Sequence, residues 1–246
     1  MTFLDDAEQT YILSGDGKTK IEAQFGPPGN YISQSQSAVI KARLHIFGGT
    51  EDRSTTVRFK LLRLRLKFLK IMRLDDCTFV ELSTKLGNRI STESAAISID
   101  NNSKGLLKYI YLIYPFLALI CFPARDFPAQ NCEIFDGSQT SPSFPTVYSH
   151  HKGKLGMFNK QPTTVGSTDY VYGNRIVETF GENGWTRLAD HPRDIHSHNL
   201  VGLDSGALLS IGGIERQGVG SKEYISDVWM LSDNSWTLIG NLPGVD

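Results

Sequence analysis

The sequence is poor in the residues and patterns that most chemistry needs. Its 246 residues include only three cysteines, Cys77, Cys121 and Cys132. These have no metal-ligand spacing and form no even disulfide set. The expected reading is small buried hydrophobes in a reduced compartment. The alternative is a Cys121–Cys132 pair in an extracellular protein, which spacing does not decide. No Gly-x-Ser-x-Gly elbow occurs, so the usual hydrolase nucleophile turn is missing. No Gly-x-Gly-x-x-Gly and no Walker loop occur, which removes the common phosphate cradles. Charge of one sign is also lacking: 25 basic and 26 acidic residues leave a formal net charge of -1. Bulk charge therefore draws the chain neither to nucleic acid nor to a membrane surface. Met1-Thr2-Phe3-Leu4 runs straight into Asp5-Asp6 with no apolar segment behind it, so no secretory leader is read and a cytoplasmic location is expected. No cofactor and no nucleic-acid partner are expected.

What is present suits many short strands. Hydrophobic residues make up 40%, aromatics 10%, and there are 23 glycines. That composition predicts an all-β chain with tight turns and a sizeable core. Two stretches far apart share one pattern. Residues 38–49 read as an apolar strand, a turn at Ile40-Lys41-Ala42-Arg43, a second apolar strand, and Gly48-Gly49. Residues 199–213 do the same and end on Gly212-Gly213. The second copy continues through Ser226-Asp227-Val228-Trp229-Met230-Leu231, a turn, and Ser235-Trp236-Thr237-Leu238.

That order resembles a kelch repeat, one four-stranded blade of a β-propeller. In such blades the Gly pair follows the second strand, where the backbone turns and crowds a neighbour. The first blade continues with 70–74, the Asp75-Asp76-Cys77 turn, and 78–82. A second blade begins at 94–104 and resumes at Ala118-Leu119-Ile120-Cys121-Phe122. A third is degenerate: 153–158 stands where the turn and second strand are expected, without a Gly pair. It ends in a hairpin of 175–180 and 185–188. Trp185 and Trp236 lie 51 apart. Phe47 and Phe122 lie 75 apart, and setting aside surplus segments 58–69 and 105–117 (12 and 13 residues) leaves 50. Both spacings are close to one kelch repeat. The expected division is 1–30 as N-terminal strands or linker, then blades near 31–87, 88–140, 141–190 and 191–246, with insertions at 58–69 and 105–117. Four blades of this size leave two faces open, so an incomplete or open propeller is expected. Gly48, Gly49, Gly212, Gly213, Trp185, Trp229 and Trp236 are the markers of blade geometry.

A few features carry candidate chemistry. Residues 106–122 form an apolar run of 17, at the short limit for a membrane span, with Lys108 near one end and Pro115 inside. The blade pattern claims the last five of these. Lys60, Arg63, Arg65, Lys67 and Arg73 alternate with leucines, which reads as an edge strand guarded by charge rather than a phosphate-contacting face. Histidines cluster at His150-His151 and at His191, His196 and His198, without an acidic or cysteine partner at ligand spacing. Asp190, Arg193 and Asp194 lie in one loop, the candidate partner-facing rim. The kelch resemblance implies a non-catalytic scaffold that binds a protein partner through loops at one propeller face. The alternatives are a membrane-attached protein anchored by 106–122, and a relative of galactose-oxidase-type enzymes, which hold copper through Tyr and His.

Overall fold

The computed structural model describes residues 2–3, 10–13, 20–23, 32–33, 35–48, 50–51, 69–76, 78–88, 90, 94–100, 116–123, 129–168, 175–217 and 221–243. All regular structure among them is β. Strands β1 (Thr2–Phe3), β2 (Thr10–Leu13) and β3 (Lys20–Ala23) form an antiparallel three-stranded sheet, and β4 (Ile32–Ser33) pairs with β7 (Thr50–Glu51). The first four-stranded sheet holds β5 (Gln36–Ile40), β6 (Arg43–Phe47), β8 (Ile71–Asp75) and β9 (Thr78–Glu81) in that order. The second holds β10 (Ala95–Asp100), β11 (Phe116–Cys121), β12 (Cys132–Phe135) and β13 (Thr140–Pro142). The third holds β14 (Lys154–Phe158), β15 (Gln161–Val165), β16 (Val177–Gly181) and β17 (Gly184–Arg187). In the last, β18 (Ile195–His196) and β19 (Asn199–Gly202) pair with successive parts of β20 (Leu208–Gln217). Strands β21 (Ser221–Ser232) and β22 (Ser235–Asn241) complete it, so this sheet is also four strands wide.

Turn chemistry explains the hairpins. Lys41 and Ala42 have φ of 51° and 60°, and Asp233 and Asn234 have φ of 48° and 57°. Two consecutive positive φ values make the primed turns whose twist matches that of paired strands. The opening strands of the four sheets contact one another in chain order, β5 to β10, β10 to β14 and β14 to β19. The sheets are therefore arranged as blades, each with its first strand innermost.

Between successive blades lies a core. Ile40, Phe47 and Ile71 of blade one meet Ala118, Ile120 and Phe135 of blade two. Leu117 and Leu119 of blade two meet Leu155, Phe180 and Trp185 of blade three. Phe158, Val165 and Val177 of blade three meet Leu208, Ile225 and Leu231 of blade four. Each fully buried aliphatic or Phe side chain contributes on the order of 1.5–3 kcal/mol.

These contacts correct the expected membrane anchor over its C-terminal part. Phe116–Cys121 is a strand bonded on both edges, to β10 and β12, and it feeds both neighbouring cores. A strand buried on both faces reads as a continuous apolar run. Residues 101–115 lie outside the described residues. Among the described residues, no helix is long and apolar enough to cross a membrane. The expected insertion 105–117 ends too late, because Phe116 and Leu117 already belong to β11. Insertion 58–69 lies outside the described residues except for Leu69.

Two further readings change. Residues 154–158 form the first strand of blade three, not its second. Cys121 and Cys132 are not separate buried thiols: they face each other across β11 and β12 as a disulfide, with Cα atoms 4.1 Å apart. A disulfide is at home in an oxidising compartment rather than a reducing one. Cys77 lies outside the described residues.

Thiol titration of the denatured, unreduced protein should count one cysteine, since three are present and two are joined. Titration of more than one would remove the bridge. Replacing Cys121 and Cys132 together by alanine should lower stability by about 2–3 kcal/mol, read from urea unfolding.

Candidate functional site

One end of the blades carries the short hairpin turns at 41–42, 159–160 and 203–206, and the connection 101–115 from β10 to β11, outside the described residues, joins strands at the same end. The other end carries the longer connections, from β6 to β8, β11 to β12 and β15 to β16, together with the links from each blade to the next. Loops held by a rigid scaffold are the usual place for function. Four of the six histidines, His150, His151, His191 and His198, lie in the links at this end, and His196 ends the short strand β18.

A repeated hydrogen-bond pattern builds the base of these loops. The N–H groups of Leu82, Ser143, Leu188 and Leu242 donate to the carbonyls of Ile71, Cys132, Val177 and Ser226. The next residue in each third strand is thus one blade position: Met72, Glu133, Glu178 and Asp227. Three of the four are carboxylates, and each receives the link arriving from the preceding blade. Glu133 accepts from the N–H of Gly87 at 2.8 Å and of Asn88 at 3.1 Å. Glu178 accepts from the N–H of Val147 at 3.0 Å and of Tyr148 at 3.1 Å. In the last link Pro192 has no N–H, and the Arg193 side chain takes over, donating Nε to Asp227 at 3.0 Å. Blade one departs from the rule, with Met72 in an apolar cluster with Ile46 and Phe79.

The Glu178 clamp also holds His150. Its Nε2 lies 2.9 Å from Glu178 Oε2, and its Nδ1 lies 2.8 Å from the Gly166 carbonyl. Both ring nitrogens face acceptors, and both side chains are fully buried. A buried hydrogen-bonded pair tolerates the loss of a partner poorly, because the group left behind is unsatisfied. Burial pushes the Glu133 carboxyl up, against the pull of the Gly87 and Asn88 N–H groups.

The loop Asp190, Arg193 and Asp194 divides by role. Arg193 links blades: besides Asp227 it donates Nη1 to Glu215 at 3.0 Å. Asp190 makes an exposed ion pair with Arg187 at 2.8 Å, which contributes little. The Asp194 carbonyl accepts the Arg216 N–H at 3.2 Å. Trp185 and Trp236 each donate Nε1 to the preceding link, to the carbonyls of Phe144 at 3.0 Å and Ala189 at 3.1 Å. Trp229 donates to Asp227 at 3.2 Å and packs near the His191 ring.

The positions after the second strands are also equivalent. Gly48, Phe122 and Gly166 donate N–H to Lys70, Asn131 and Ile176. Phe122 therefore matches Gly48 rather than Phe47, and the count of 75 between the two phenylalanines is one residue too long. Gly48 has φ of +66°, and an added Cβ would strike the Ile90 carbonyl. Gly213 has φ of +118°, and a Cβ there would lie 2.8 Å from the Cβ of His198. In blade two Phe122 takes this conformation itself, with φ of 62°. Gly212 adjoins the irregular pairing of β20 with β21. Gly49 lies outside the described residues.

Among the described residues, no group of three or more His, Cys, Asp or Glu is arranged to hold a metal ion. The histidines are set apart electrically instead. Burial pushes the His191 ring down to about 4. His196 is pushed down to about 4 by burial and then by Lys152, Lys222 and Arg216. His198 is driven well below its ordinary value by burial and by its neighbours His191, Lys154, His196 and His150. At the opposite end, Asn159, Lys160, Gln161, Asp204, Ser205 and Gly206 line an open depression of about 350 Å³.

No protein-family model matches the chain, and no curated protein matches it. Solved structures do. One, described as the structure of YjhT, aligns at a TM-score of 0.70 with 16% identity, over 96% of this chain and 78% of that one. The fold is a β-propeller. At this identity the likeness speaks for fold alone, and the four blades, their radial order and the absence of helices among the described residues agree with it. The sequence reading missed the clamp carboxylates. Their signal was present: Cys132-Glu133-Ile134-Phe135, Val177-Glu178-Thr179-Phe180 and Ser226-Asp227-Val228-Trp229 each place an acid two residues before an aromatic.

Replacing Glu178 by alanine strands His150 and two backbone N–H groups, and should cost at least about 1–3 kcal/mol in urea unfolding. Glu178→Gln should cost less, because it keeps an acceptor.

Stability should also fall in acid. The folded His191 and His196 rings stay neutral down to about 4, while the unfolded rings take up protons below about 6.5. The unfolded state then binds more protons, so stability is present above about 6.5 and declines as pH falls toward 4. A urea midpoint unchanged between about pH 7 and pH 5 would contradict this, and His191→Gln should flatten the decline.

Proposed function

We propose that this protein is a kelch-type, non-catalytic interaction scaffold that binds a protein partner with the loops at the long-connection end of its propeller. The observation that carries the reading is the carboxylate clamp. Glu133, Glu178 and Asp227 tie each link between blades to the next blade. The links are thus anchored at their bases, while side chains such as Val147 (59% exposed) point to solvent. A fixed base with exposed tips is what a recognition surface needs, because little ordering entropy is lost on binding. At the opposite end the described turns, at 41–42, 159–160 and 203–206, are short.

Galactose-oxidase-type chemistry is a weaker reading, since the histidines of this end are held by neighbours or packed in the core. His150 lies on Glu178 and Gly166, and His191 packs on Trp236 with ring centroids 4.7 Å apart.

A photo-crosslinking residue at Val147 should form adducts with another protein in cells, while the same residue at Ser205 should not. Adducts from both positions equally, or from neither, would sink the scaffold reading.

A further inference from the structure

At the same end, where blades three and four meet, positive charge is concentrated in a small area. Arg216 and Lys222 are direct partners across β20 and β21. Like charges directly opposite each other destabilise a strand pair. The adjacent pair, Glu215 and Glu223, is also like-charged, and Arg193 donates to Glu215 at 3.0 Å and attracts Glu223. Around the basic pair more positive charge gathers. Among the described residues, Lys152, Lys222, Arg216 and His151 bear on the His196 ring. Backbone contacts draw their segments together: Ser197 N–H donates to the Lys152 carbonyl at 3.2 Å, and Arg216 N–H to the Asp194 carbonyl at 3.2 Å. Arg216 Nη1 also reaches the Thr168 carbonyl at 3.3 Å, and His151 Nδ1 lies 2.6 Å from Thr168 Oγ1. Four segments of two blades thus bring Lys152, Arg216, Lys222 and two histidines to one place.

We propose that Lys152, Arg216 and Lys222, gathered around His196, bind a short acidic segment of the protein partner. The inference rests on the scaffold reading and names the chemistry of its partner. A carboxylate suits the planar guanidinium of Arg216, which can donate twice, and the two lysines add charge without fixed geometry. The surroundings argue against a nucleic-acid strand. The patch is small, and Glu215, Glu223 and Asp227 flank it on the other side of the hairpin, where a continuing line of phosphates would be repelled. A segment with only a few acidic side chains fits between these limits.

The test uses the whole chain and a fluorescein-labelled oligoglutamate peptide, followed by fluorescence anisotropy. The peptide should bind, more weakly as salt rises, and an oligolysine peptide should not. The double variant Arg216→Gln, Lys222→Gln should weaken binding about tenfold or more. Lys152→Gln, outside the hairpin, should weaken it separately, which covers the case of a misfolded hairpin. Lys160→Gln, at the opposite end, should bind like the parent protein. Equal binding by all variants, no binding by the parent protein, or displacement of the peptide by millimolar inorganic phosphate at constant ionic strength would overturn the proposal. The last result would reassign the cluster to a small anion. Adducts at Val147 without peptide binding would leave the scaffold reading standing and remove only its acidic preference. Peptide binding without adducts would do the reverse.

Discussion

The structure depends on sheets that are covered on both faces. A blade of four strands has two apolar surfaces and cannot bury either one alone. Strand β11 shows the consequence most clearly. Leu117 and Leu119 go to the core shared with blade three, while Ala118 and Ile120 go to the core shared with blade one's side. Residues Ala118–Cys121 are paired on both edges, and Leu117 packs in the core shared with blade three. Such a strand must be apolar throughout, and its composition then resembles that of lipid-exposed sequence. The radial order of blades is the means by which the facing surfaces of successive blades find a partner.

Polar contacts set the register between these covered faces. Burial is non-directional and would tolerate small slides of one blade on the next. The carboxylates at Glu133, Glu178 and Asp227 do not, because each must meet particular donors in the preceding link. The price is a buried acid in every joint, offset by two backbone N–H groups or by an arginine. His150 adds a second tie in the joint of blades two and three. The same joints hold the bases of the loops proposed to meet a partner. The depressed histidines belong to this economy too: packed as neutral rings, they fill the joints but make them sensitive to acid.

The fold was legible in large part. The hairpin at Lys41-Ala42, the turn around Asp76 and the strand pair ending in Trp185 are local, and turn residues with alternating apolar positions reveal them. Blade three was read one strand out of step because Gly153-Lys154 looks like a turn while the true turn, Asn159-Lys160, lacks glycine yet holds φ of 48° and 64°. Blade two hid its marker because Phe122 occupies a conformation that glycine takes in the other blades. Of the candidate site, the loop of Asp190, Arg193 and Asp194 was visible, but the clamps were not, since donor and acceptor are 30 or more residues apart: Glu178 and Tyr148 are separated by 30, and Glu133 and Gly87 by 46.

What the amino-acid sequence alone determined is the repeat: short apolar strands and tight turns, which follow from local conformational preference, recurring at a spacing near 50. What only the tertiary structure decided is which distant groups meet. Whether Cys121 and Cys132 bond, whether residues 116–121 lie in a sheet, and whether Arg216, Lys222 and Lys152 share one surface depend on how blades pack. Those pairings are long-range, and no local preference encodes them: they follow from the burial of the facing surfaces of successive blades.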